Sequence, residues 1–131
     1  MTRAPSTVRY TRFLILINAL FWLAFGVTTA VGAHPSYKEA STLRWAMAIM
    51  ALLAAGILGA LAELLHRRSR LAYWPAVASL AAFTLAALLD DLGLADVVFV
   101  VLTLLPLALL LKDRTWYLGI VIGNEQDNRA A

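Results

Sequence analysis

Four long apolar runs, at about 13–33, 43–65, 71–89 and 94–111, dominate the chain, and short polar interruptions separate them. The first run is about 21 residues long, and at a rise of about 1.5 Å per residue a helix of that length covers the roughly 30 Å hydrocarbon layer of a bilayer. The pattern predicts an all-α protein, an integral membrane up-down-up-down four-helix bundle forming one domain over 1–131. The fourth run is the shortest. Residues 1–12 read as an interfacial lead-in, and 118–131 as an interfacial segment followed by a loose tail.

The interruptions carry helix stop and start signals. Gly32-Ala33-His34-Pro35-Ser36 breaks the first helix, and Ser41 or Thr42 can cap the second. Val31-Gly32-Ala33 also resembles a signal-peptidase site, but the run before it exceeds the roughly 7–15 residues of a signal h-region, which favours a span. Tyr73-Trp74-Pro75 marks the start of the third helix, with the proline expected in a first turn, where its missing N–H costs least. Asp90-Asp91-Leu92-Gly93 makes a tight turn, and Asp96 falls in the first turn of the fourth helix, where a carboxylate suits the helix dipole. Pro106 is expected to kink the fourth helix unless a neighbour takes up the carbonyl it frees. Lys112, Arg114, Trp116 and Tyr117 read as an interfacial belt.

Composition strengthens the membrane reading. Hydrophobic residues make up 62% of the 131 and charged residues only 15%, against about half and a quarter in soluble domains. The net charge of +3 does not suggest a nucleic-acid partner, because the basic residues gather at segment ends and not on one face. Cysteine is absent, which removes disulfides, thiolate metal sites and thiol catalysis together.

Charge also sets the expected orientation. His66-Arg67-Arg68-Ser69-Arg70 sits between the second and third runs, and guanidinium groups this dense stay on the cytoplasmic side. Arg3, Arg9, Arg12, Lys112, Arg114 and Arg129 fall on the same side as this bend, and only Lys38 and Arg44 on the other. Both termini are therefore expected in the cytoplasm, with a bacterial inner membrane as the setting.

Polar groups inside apolar spans are costly and are the default candidates for function. Asn18 and Glu63 fall at similar depth, so a hydrogen bond between them would make an intramembrane polar site. The plainer reading pairs Glu63 with Arg67 one turn on and leaves Asn18 to fix helix register. On the first helix Asn18, Trp22, Phe25, Thr29 and Gly32 share a face. On the other side of the membrane, Asp90, Asp91, Asp96 and His34 have the ligand types for a divalent cation, although aspartate is favoured at turns and helix starts in any case. His34 and His66 lie at opposite boundaries and cannot share a haem iron. No phosphate loop, zinc motif or paired catalytic carboxylates are visible, so no cofactor and no enzyme activity are expected.

Small residues recur at steps of four on two helices: Ala51, Ala55 and Gly59, with Gly56 and Ala60 beside them, and Ala78, Ala82 and Ala86. Such rows let membrane helices approach closely. They favour an accessory or scaffolding subunit packed against other membrane-protein subunits or against itself in a homo-oligomer, besides the lipid bilayer. A small oligomeric transporter or channel using Asn18 and Glu63 is the alternative.

In Asp90-Asp91-Leu92-Gly93-Leu94-Ala95-Asp96 and its following span, and in Arg44-Trp45-Ala46-Met47-Ala48 after His34-Pro35-Ser36, the chain resembles small uncharacterised four-span bacterial membrane proteins. That resemblance implies the four-span fold and no function. In size and span number the chain also looks like a small multidrug-resistance transporter. That family carries an essential glutamate in the middle of its first helix; here the first helix has Asn18 and no acid, which counts against transport of that kind.

Overall fold

The computed structural model describes residues 5–33, 41–89 and 93–119, apart from the side chain of Ala95. These residues form five helices and no strand: α1 (Ser6–Ala30), α2 (Ser41–His66), α3 (Arg70–Leu89), α4 (Leu94–Lys112) and the short α5 (Arg114–Leu118). By length and hydropathy α1, α2 and α3 are each long and apolar enough to cross a membrane. At 19 residues α4 extends about 28 Å.

The first helix begins seven residues before the expected start at Phe13. Pro5, with φ −53° and ψ 146°, stands just outside it in extended conformation, and nothing between Ser6 and Phe13 breaks a helix. Val8, Thr11, Ile15 and Asn18 are all buried, so the inward stripe continues through the supposed lead-in at steps of three and four. At its other end α1 closes on a Schellman turn. The Gly32 N–H donates to Thr29 O and the Ala33 N–H to Thr28 O, with Gly32 at φ 74°, where a glycine avoids the cost of a side chain.

The α1–α2 interface is the most extensive, α3–α4 and α1–α4 follow, and α2–α3 is the thinnest of the four. Arg12 reaches Glu63 near one end of the α1–α2 pair, while near the other end a Cβ on Gly26 would lie 3.1 Å from Leu52 and 3.3 Å from the Ala48 carbonyl. The two helices thus meet in opposite chain directions, and at Gly26 they are too close to admit a side chain without displacement. Along α2 the buried residues Ala48, Ala51, Ala55, Leu58, Ala62 and Leu65 alternate steps of three and four, the spacing that stays on one seam.

This spacing corrects the expected row on α2. Ala51 and Ala55 are buried, but no atom lies within 4 Å of the place a Cβ on Gly59 would take. Four residues turn a helix by about 400°, so a strict step of four drifts about 40° each time. After two such steps Gly59 has left the contact.

The row on α3 departs further. The buried face of α3 carries Ala72, Tyr73, Ala76, Leu80 and Thr84, whereas Ala78, Ala82 and Ala86 are all exposed. Ala78 lies about 200° around the helix from Ala76, so the row points away from this chain's own core. Pro75 sits beyond the first turn, because α3 begins at Arg70. The carbonyl it frees, on Leu71, belongs to a residue on the surface.

Aromatic packing joins the remaining helices. Trp22 of α1 meets Phe83 of α3 at 5.4 Å and Phe99 of α4 edge-on at 5.3 Å between centroids. Thr11 and Thr84 spend their hydroxyls on their own backbone, on Thr7 O at 2.9 Å and Leu80 O at 2.8 Å, which removes the cost of placing a hydroxyl in apolar surroundings.

Candidate functional site

Asn18 and Glu63 do not share a site. Glu63 accepts from Arg67 Nε at 3.0 Å, the i to i+4 pair, and from Arg12 Nη2 at 3.3 Å across the α1–α2 interface. Its carboxylate is held between two guanidinium groups at a half-exposed position.

Asn18 instead faces α4, where its Nδ2 donates to the Leu102 carbonyl over a long 3.5 Å. The reason lies four residues on. Pro106 has no N–H to offer Leu102, so that carbonyl is left open inside a buried contact, and Asn18 supplies the missing donor. Asn18 therefore meets α4, and Trp22 on the same face meets α3 and α4. Along this face Asn18 Oδ1, Trp22 Nε1 and Thr29 Oγ1 are buried without a hydrogen-bond partner among the described residues, an arrangement that costs about 1–3 kcal/mol per group.

The densest chemistry lies where α1 and α3 begin and α2 and α4 end. Arg9, Arg12, Arg67, Arg68, Arg70, Lys112 and Arg114 all belong to this end. The turn after α2 has the same hydrogen bonds as the one after α1: the Arg68 N–H donates to Leu65 O and the Ser69 N–H to Leu64 O. Here the left-handed position, at φ 54°, is filled by Arg68, where a side chain costs about 1–2 kcal/mol relative to the ordinary helical conformation. What the side chain does is visible. Arg68 lies 4.5 Å over the Trp116 ring and donates through Nη2 to Trp116 O at 3.2 Å, tying the α2–α3 turn to α5.

Tyr117 does not join the surface belt that the sequence suggests. A break at Asp113 turns α5 back under the bundle, and Tyr117 is only 3% exposed, with Tyr73 at 1%. Their rings lie 5.9 Å apart, and the Tyr73 hydroxyl donates to Leu110 O at 3.1 Å, satisfying one of the carbonyls that the end of α4 leaves open. Burial pushes the Tyr117 phenol up to about 12, partly opposed by the Thr11 hydroxyl. Aromatic residues after a span suggest an interface belt, and no local signal in 112–118 marks Tyr117 as core.

Beside these rings is a cavity of about 430 Å³ whose wall includes Arg9, Arg12, His66, Arg68, Trp116 and Tyr117. Among the described residues no acidic one lines it. The arginines were legible as topology signals; that three of them surround one hollow was not.

At the opposite end Asp96 accepts from the Gly93 N–H at 2.9 Å through Oδ2, so its carboxylate caps α4. Asp90, Asp91 and His34 lie outside the described residues, as do Lys38 and the segment from 120 onward. Among the described residues no group of histidine and acidic side chains is placed to hold a metal ion. No family model, no curated protein and no solved structure matches this chain.

Proposed function

We propose that this chain is a multipass protein of the bacterial inner membrane, its four long helices crossing up-down-up-down with both termini in the cytoplasm, and that it serves as a non-catalytic accessory or scaffolding subunit. The observation that carries the role is the outward face of α3. Ala78, Ala82 and Ala86 are exposed together, and Gly56 and Ala60 are exposed on α2, across the thinnest of the four interfaces between long helices. Within a bilayer, rows of small residues allow another helix to approach until van der Waals contact and Cα–H···O contacts form. The orientation follows from the basic end, because seven cations at one end of the bundle belong on the cytoplasmic side.

The chain has no cysteine, so single thiols report cleanly. Ala82→Cys is expected to cross-link to a second copy or to another membrane subunit in native membranes, while Leu88→Cys, exposed but about 120° around the helix from Ala82, is expected to stay monomeric. Ala82→Trp should abolish the assembly and leave the monomer folded. An Ala82→Cys chain that a lipid-phase thiol reagent labels in full and that never cross-links would overturn the accessory role. Ser69→Cys is expected to react with an impermeant reagent only from the cytoplasmic face.

A transporter or channel is favoured by one observation, the orphaned polar atoms at Asn18, Trp22 and Thr29. It locates that reading on the α1–α4 face, away from Glu63, which two arginines already engage. A proton flux in reconstituted vesicles that Asn18→Leu removes and Glu63→Gln spares would put this reading ahead.

A further inference from the structure

We infer that the cavity at the basic end holds the phosphate headgroup of an anionic phospholipid. Three arginines, Arg9, Arg12 and Arg68, line its wall with His66, and among the described residues no acidic one lines it. Glu63 takes one nitrogen of Arg12 at 3.3 Å, and Arg68 gives Nη2 to the Trp116 carbonyl at 3.2 Å. Phosphate oxygens accept charge-assisted bonds from arginine side chains strongly. A volume of about 430 Å³ falls within the roughly 300–1,000 Å³ of ligand pockets.

The structure favours a lipid phosphate over a soluble one because of what leads away from the cavity. From Arg9, the exposed residues Phe13, Leu16, Leu20, Leu23 and Val27 follow α1 at alternating steps of four and three, which makes one continuous apolar stripe. A phosphodiester at Arg9, Arg12 and Arg68 would lay its acyl chains along that stripe. Basic pockets between membrane helices at the cytoplasmic boundary bind anionic headgroups by this combination of charge and apolar surface. Arg68 keeps its cation at the cavity at the expense of a left-handed backbone, where glycine would sit without strain.

The inference rests on the membrane reading and is independent of the accessory role. Carbonate extraction of native membranes tests the first separately, since an integral protein stays in the pellet. For the site, the full chain is delipidated in mild detergent, titrated with phosphatidylglycerol or phosphatidylcholine, and followed by native mass spectrometry. Wild type is expected to retain one phosphatidylglycerol about tenfold more tightly than phosphatidylcholine, with about fivefold lost for each guanidinium removed in Arg9→Gln and Arg68→Gln. Arg114→Gln removes a charge from the same end but not from the cavity wall, and should change retention less than twofold. Equal retention of the two lipids, or an equal loss in Arg114→Gln, overturns the site in favour of a general basic surface. Displacement of the bound lipid by millimolar glycerol phosphate or inorganic phosphate overturns the lipid assignment in favour of a soluble ligand.

Discussion

The two ends of this bundle are built on different plans, and its two helix-ending turns show the difference best. Both turns use the same pair of backbone hydrogen bonds, yet one places Gly32 in the left-handed position and the other Arg68. At the Gly32 end the chain takes the residue with the least strain, and local caps such as Asp96 on Gly93 complete the helix ends. At the Arg68 end a strained residue is kept and its side chain reaches 48 residues along the chain to Trp116. Arg12 likewise reaches Glu63 and Tyr73 reaches Leu110. Among the described residues, the helix caps of the first end are local, while the second end adds long-range contacts around a cationic hollow.

The contrast is sharpest for Tyr117. Tyr117→Ala is expected to cost about 3 kcal/mol, as removal of a buried aromatic does, whereas Leu89→Ala, at an exposed position of the opposite end, should stay within about 0.5 kcal/mol. Thermal unfolding in detergent measures both, and equal losses would break the comparison.

Alkaline pH probes the same ring. The folded phenol titrates at about 12 and an unfolded one at about 10. Between these values the unfolded chain gives up its proton first, so stability is intact below pH 10 and falls as pH rises toward 12. Tyr117→Phe should remove that part of the decline, read as the difference between unfolding midpoints at pH 9 and pH 11.

The twin turns supply a smaller effect. Gly32→Ala is expected to cost about 1 kcal/mol, because φ 74° disfavours any side chain. Arg68→Gly should change stability by less, since relief of the backbone offsets a lost cation–π contact of about 0.5–1 kcal/mol. Chemical or thermal unfolding of the two variants side by side decides this. A large loss in Arg68→Gly would mean that the tie to Trp116 holds more of the fold than the strain suggests. A small effect is also expected of Asp96→Asn, which keeps the cap but removes its charge and should cost about 0.3–1 kcal/mol.

Much of the architecture was legible in the chain because a membrane asks so little of a sequence. Apolar length places the helices, and the breaks at Gly32 and at the basic bend after His66 end α1 and α2 where expected. The start of α1 was hidden because arginines at positions 9 and 12 look like the end of a span, although a helix continues through them whenever Val8 and Thr11 find something to pack against. The Glu63–Arg67 pair was readable because it is one helical turn long, while Arg12 joined it only through packing of α1 on α2. Asn18 was visible as a costly group, but its partner is a carbonyl freed by a proline 88 residues away, and nothing in sequence order connects the two.

The chain alone settled that long apolar helices form, where they break, and that cationic side chains collect beside the breaks, because each depends on the solvation of neighbouring residues. Only the packing decided which small residues are buried. The 3.6-residue turn carries Ala51 and Ala55 into the α1–α2 seam and carries Ala78, Ala82 and Ala86 out of the core. Packing also folded Tyr117 under the bundle and drew Arg9, Arg12 and Arg68 around one cavity, since convergence of distant residues depends on helix azimuth and crossing, which no single segment encodes.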